Sequence, residues 1–393
     1  MTVLRVMLGA VLTVPTAVVV PAAPAAAAPY VSCPAVKPPT PPPAAPSPPA
    51  VDPAQAAVGG EALATAGLTI PAGAPMAPAV TATSWLVADL GSGAVLGGCG
   101  PHEHRAPASV QKLLLAAALM PRLDPAQVVE VRREDLSDLD PTSSLMGVVA
   151  GGRYSIESLW LGLLLKSGND AANVLARVGG GSAGRQGGVQ AMNDEAHRLG
   201  ANQTHAATPS GLDGPGQYTS AYDLALIARA AFAREDFQRY VATRVAQIEG
   251  DLGTPSLVLN HDVTLLDAYP GTLGGKTGFT DLARQTYVGV AERDGRRLAV
   301  ALLGAETAPL GSLGEAAALL DWGFSLAPDA SVGRLVGPEE KKDEHQVAAV
   351  RGERRGPAVE WLSLPAGLGL GAAAVAVLVA IAWRRARRRP GHH

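Results

Sequence analysis

Ala106-Pro107-Ala108-Ser109-Val110-Gln111-Lys112 opens an apolar run that continues through Leu113 to Met120. Pro107 and Ser109 favour a helix start, and the alanines and leucines that follow are good helix formers. Val110, Leu113, Leu114, Leu115, Leu119 and Met120 point in every direction, so the spacing predicts a helix buried on most sides. Lys112 is the misfit. Residues three apart share a helix face, so its amine can reach the Ser109 hydroxyl. Burial disfavours the ammonium and makes a usable base, and the helix N-terminus favours negative charge developing beside Ser109. Taken alone, Ser-x-x-Lys recurs by chance, and a serine at a helix start is ordinarily a cap.

The chain has 393 residues, a net charge of -3 and only 17% charged residues, so it carries no nucleic-acid footprint. Two cysteines exclude a disulfide-dense scaffold and leave one possible pair, Cys33 with Cys99. Arg5, an apolar segment broken by Pro15 and Pro21, and Ala25 to Ala28 read as a cleaved secretory signal over 1–28. Export permits the disulfide; a lipid-modified Cys33 is the alternative. Residues 29–80 are rich in Pro and Ala and read as an irregular linker. Leu362 to Trp383 carries no charge and, at about 1.5 Å per helical residue, spans a bilayer core of about 30 Å. Arg384, Arg385, Arg387, Arg388 and Arg389 follow at once. The expectation is a charged stalk over 336–360, a single membrane helix over 361–383 and a cytoplasmic Arg-rich tail over 384–393, with the rest of the protein outside a cytoplasmic membrane.

The globular part is then 81–335. Strands are expected at 84–90 and 94–96 around Gly91-Ser92-Gly93, and at 275–280, 285–291 and 296–303, the last two joined by Asp294-Gly295. Helices are expected at 156–166, 171–178, 189–199, 221–232 and 313–324. Strands at both ends with helices between them predict one α+β domain whose sheet joins the chain ends. Gly180 to Gly184 fits a nucleophile-elbow pattern, and Gly179 to Gly184 a dinucleotide pattern, but both need a strand in front and a helix behind. A flexible loop is the better reading. His102-x-His104 lacks the further ligands of a metal site.

Two later motifs change the weight of Ser109 and Lys112. Lys166-Ser167-Gly168-Asn169-Asp170 falls at a helix–helix junction, and Gly275-Lys276-Thr277-Gly278-Phe279-Thr280 on a strand. Ser-x-x-Lys, Ser-x-Asn and Lys-Thr-Gly, in this order and context, are the set of penicillin-interacting serine enzymes. From about Ser84 to Phe324 the chain resembles the low-molecular-weight penicillin-binding proteins that act as serine D-alanyl-D-alanine carboxypeptidases. Pro209-Ser210-Gly211-Leu212-Asp213, Tyr218 to Asp223 and Trp322-Gly323-Phe324 extend the resemblance. It implies a β-lactamase/DD-peptidase-like fold, a sheet with flanking helices plus a helical subdomain.

That resemblance assigns roles without a metal or cofactor. Ser109 would attack the penultimate D-alanine carbonyl of a peptidoglycan stem peptide, and Lys112 would take its proton. Ser167 would relay a proton to the leaving amine, and Asn169 would orient Lys112 and the substrate. Lys276 and Thr277 would hold the terminal carboxylate, and the backbone N–H groups of Ser109 and of Phe279, which follows Gly278, would form the oxyanion hole. β-Lactams would act as covalent inhibitors. One departure stands out: where many relatives carry a carboxylate-binding arginine, this chain has Leu310-Gly311-Ser312, and Arg284 is the candidate substitute. A class A β-lactamase needs a Glu-x-x-Leu-Asn loop, which Glu195, Glu235 and Glu249 do not open. A catalytically silent, membrane-tethered peptidoglycan-binding module is the non-enzymatic rival, and the intact motif residues speak against it.

Overall fold

The computed structural model describes residues 30–39, 49–250, 254–261 and 265–337. Three strands come early: β1 (Leu68–Thr69), β2 (Ser84–Asp89) and β3 (Ala94–Cys99). The helices α1 (Lys112–Leu119), α2 (Ile156–Leu165), α3 (Asn169–Gly179), α4 (Gly184–Leu199) and α5 (Ala221–Phe232) follow. The chain then returns through β4 (Thr272–Thr280), β5 (Arg284–Arg293), β6 (Arg296–Ala305), α6 (Gly311–Ser325) and β7 (Gly333–Arg334).

These strands form one sheet in the order β1-β3-β2-β6-β5-β4, with β7 also on β3. All its pairings are antiparallel. Early β2 therefore lies directly against late β6, from Asp89↔Leu298 to Ser84↔Leu303. Leu298, Val300 and Leu302 of β6 join Trp85, Val87, Leu319 and Leu320 in the core beneath α6. Ala299, Ala301 and Leu303 join Leu86, Ala88 and the residues of α1 and α5 on the other side. Both faces are covered, which is why these strands read as nearly continuous apolar runs. Burying about ten such side chains contributes on the order of 2 kcal/mol each. The helix expected after Ser109 is buried along its whole length, Lys112 included.

Two expectations change. The glycine-rich run read as a flexible loop is a tight helix–helix joint, and α4 begins at Gly184, five residues before the expected 189. A Cβ on Gly188 would lie 2.2 Å from the Ala176 carbonyl oxygen of α3, so only glycine lets the two helices approach this closely. The stretch 29–80, read as an irregular linker, is in large part packed onto the domain. Leu63 is fully buried, β1 pairs with β3, and a Cys33–Cys99 disulfide fastens residues 30–39 to the same strand. Further along, the carbonyls of Pro49 and Val58 accept hydrogen bonds from His104 Nδ1 (2.9 Å) and His102 Nε2 (3.0 Å). The prolines dominate the composition and mask the few apolar anchors that cover this edge of the sheet. The expected signal at 1–28, the expected stalk beyond Gly337, and the expected membrane helix and tail lie outside the described residues. Among the described residues no helix is long and apolar enough to cross a membrane.

Candidate active site

Ser109 sits in a single 3-10 turn, Ala108–Gln111, that runs into α1. Ala108 is fully buried with φ of 49°, a left-handed backbone that costs a non-glycine residue on the order of 1–3 kcal/mol. Two strands hold the turn. Thr286 Oγ1 on β5 donates to the Pro107 carbonyl at 2.9 Å. On β4, a Cβ at Gly278 would lie 2.6 Å from the Ser109 nitrogen and 2.5 Å from Thr286 Oγ1. Glycine at 278 is therefore required for the strand to lie against the serine.

Lys112 Nζ, buried at the start of α1, has four oxygens around it. Ser109 Oγ and Asn169 Oδ1 are each at 2.7 Å, the Ser210 carbonyl at 3.0 Å and Ser167 Oγ at 3.5 Å. The amide and carbonyl oxygens only accept, so they take two N–H bonds from a neutral amine and leave its lone pair for a hydroxyl proton. Burial above all, and then the nearby Lys276, push Lys112 well below the ordinary lysine range, with Asp170 opposing. A lysine three residues from a serine has thus become a base aimed at it.

Ser167 lies between α2 and α3 with φ of 56°, a second strained backbone at the site. Asn169 opens α3, and its N–H donates to the Ser144 carbonyl at 2.8 Å. The next residue, Asp170, is buried and accepts N–H bonds from Met146, Gly147, Val148 and Ala171 at 2.8, 2.8, 3.1 and 2.9 Å. It pins residues 146–148 to the helix, next to Ser144, which lines the cleft and is held by Asn169.

The third motif forms the opposite wall. Ser109, Ser167, Asn169, Lys276, Thr277, Gly278 and Phe279 all line one cleft of about 560 Å³. β4 is the end strand of the sheet and borders it. Lys276 is buried, its ammonium donating to the Thr277 carbonyl at 2.7 Å, and burial pushes it down to about 7. Arg284 is not the substitute for the missing arginine. Its guanidinium is paired with Glu306 in a fork of 2.9 and 2.8 Å and does not line the cleft. Ser312 does line it, with its N–H bonded to Gln285 Oε1 at 2.8 Å.

A family model described as D-alanyl-D-alanine carboxypeptidase matches residues 72–307. The chain belongs to that family. A D-alanyl-D-alanine carboxypeptidase of Mycobacterium tuberculosis is 45% identical over 269 residues, covering 67% of this chain and 90% of the relative. The crystal structure of a D-alanyl-D-alanine carboxypeptidase from M. tuberculosis matches with a TM-score of 0.62 and 43% identity, over 67% of this chain and 99% of that one. Penicillin-binding protein 6B from Escherichia coli matches at 0.58 and 32%, over 65% and 81%. A mutant Streptomyces DD-transpeptidase matches at 0.60 and 25%, over 63% and 100%. Family and fold together make this a serine-type carboxypeptidase of the penicillin-binding class.

Sequence reasoning missed three parts of the site: the Ser210 carbonyl, the Asp170 clasp and Thr286. Ser210 and Asp170 stand inside quoted motifs, yet nothing in a motif says which backbone groups a side chain meets. Thr286 lies 179 positions from Pro107, beyond any local signal.

Proposed function

We propose that the protein removes the terminal D-alanine from peptidoglycan stem peptides through an acyl-enzyme on Ser109. The observation that carries this is the buried Lys112 amine, 2.7 Å from Ser109 Oγ, with Asn169 and Ser210 positioned to take its N–H bonds. Ser109 Oγ attacks the penultimate carbonyl carbon as its proton passes to Lys112. The N–H groups of Ser109 and Phe279 stabilise the oxyanion, each worth roughly 3 kcal/mol. Now cationic, Lys112 has a third N–H for Ser167, which hands its own proton to the departing D-alanine nitrogen. Water then attacks the ester, its proton returns by the same route, and the released acid leaves Ser109 free. Lys276 and the Thr277 hydroxyl hold the substrate carboxylate by charge-assisted hydrogen bonds. Mass spectrometry after penicillin treatment is expected to find one adduct, on Ser109, lost only slowly, and a pentapeptide ending in D-Ala-D-Ala should release D-alanine. An adduct elsewhere, or no release, would refute the assignment.

The catalytic domain is proposed to face outward from a bacterial cytoplasmic membrane, tethered by residues 361–383. The supporting features are the signal-like N-terminus and the arginines after Trp383. Protease added to intact spheroplasts should remove the domain and spare the tail; a protected domain would contradict this topology.

A further inference from the structure

The side chains of Phe279, Arg284 and Glu306 form a run of contacts leading back from the cleft that the chemistry above leaves unused. The Phe279 ring lines the cleft and is 56% exposed, although it is a large apolar side chain. The guanidinium carbon of Arg284 lies 5.6 Å from the ring centroid. Glu306, which grips that guanidinium through both oxygens, is itself nearly buried, and its N–H donates to Thr81 Oγ1 at 2.8 Å. Thr81 in turn donates to Glu315 of α6. The β4–β5 turn is fixed from the other side as well. Thr280 Oγ1 donates to Asp213 Oδ1 at 2.8 Å and accepts from the Ala283 N–H at 2.9 Å. Arg284 has φ of 58°, a conformation a non-glycine residue holds only when its surroundings enforce it. An arginine neutralised by a carboxylate is a poor anion binder, but its flat face still holds an aromatic ring.

We propose that Arg284, locked by Glu306, is a positioning residue that holds the Phe279 ring as an apolar wall for the hydrocarbon side chain of the stem-peptide residue preceding the two D-alanines. The assignment rests on the function proposed above and follows from the order of groups along β4. Lys276 and Thr277 take the terminal carboxylate, and the Phe279 N–H faces the penultimate carbonyl, so the preceding residue falls at the Phe279–Thr280 end. Leu212 lines the same cleft and offers a second apolar surface.

The test compares an N-acylated Lys-D-Ala-D-Ala peptide with its Gly-D-Ala-D-Ala counterpart, using the full-length protein. The readout is the ratio of the two kcat/KM values. Phe279→Ala and Arg284→Ala should each lower this preference about fivefold to tenfold, the scale of a few lost methylene contacts. The double variant should be no worse than either single one, because both remove the same wall. Glu306→Gln should lower the preference in the same direction with little change in volume, and Arg284→Lys should restore part of it. An unchanged ratio in Arg284→Ala and Phe279→Ala, or equal losses on both peptides, overturns the inference while leaving the carboxypeptidase assignment standing. A wild-type protein that releases D-alanine from neither peptide overturns both.

Discussion

Lys112 and Lys276 are both buried beside one cleft but have unequal surroundings, and this sets opposite demands on their protons. Lys112 is useful as the free amine, whereas Lys276 is useful as the cation that holds a carboxylate. Burial lowers both, Lys276 to about 7. As pH falls, Lys112 regains a proton and loses the lone pair that faces Ser109; as pH rises through about 7, Lys276 loses its charge and its grip. The kcat/KM profile of the free enzyme is therefore expected to be bell-shaped, with the alkaline limb belonging to Lys276. Lys276→Arg should abolish that limb, because a guanidinium stays protonated. Lys112→Arg should fold and yet acylate with penicillin at least about a hundredfold more slowly, the scale of lost general-base help. Normal acylation by Lys112→Arg, or an alkaline limb that survives Lys276→Arg, would contradict these roles.

At the scale of elements, the cleft is made where unrelated pieces are tied by a few side chains. Asp170 collects four N–H groups and joins residues 146–148 to α3. Asp170→Asn keeps the shape but gives up the charge and turns one acceptor into a donor facing N–H groups. It should cost about 2–3 kcal/mol in urea unfolding. It also removes the charge that opposes the lowering of Lys112, so the acid limb of penicillin acylation should move to lower pH. An acid limb that stays in place would mean that Asp170 acts on structure alone. The three motifs and the helices between them were legible in the sequence because their periodicity and order are local properties. The clasp by Asp170, the Thr286 bond and the Gly188 contact were not, because each depends on which distant backbone arrives beside the side chain.

Across the whole molecule, the sheet is built from both ends of the domain, a pattern that strands flanking a block of helices announce in sequence. What composition concealed was the packed arm before Thr69, where prolines outnumber the apolar residues that anchor it. The Cys33–Cys99 bridge closes a separation of 66 residues, and in the chain-entropy model such closure contributes about 4 kcal/mol. Protein denatured without reductant should show no free thiol. The Cys33→Ser/Cys99→Ser variant should unfold at lower urea, yet label with penicillin at the normal rate, because β3 and β4 lie toward opposite ends of the sheet. Two free thiols, or a lost labelling rate, would count against this account. The same topology stitches the end of the packed arm, at Gly59, to the far end of the domain. The Arg334 N–H donates to the Gly59 carbonyl at 2.8 Å, and the Tyr222 hydroxyl donates to the Arg334 carbonyl and accepts from the Val336 N–H. A short peptide joining Val336 to Val58 would close residues 58–336 into a ring that leaves the Cys33 arm outside it, and the joint would lie on the β3 side of the sheet, remote from the cleft beside β4.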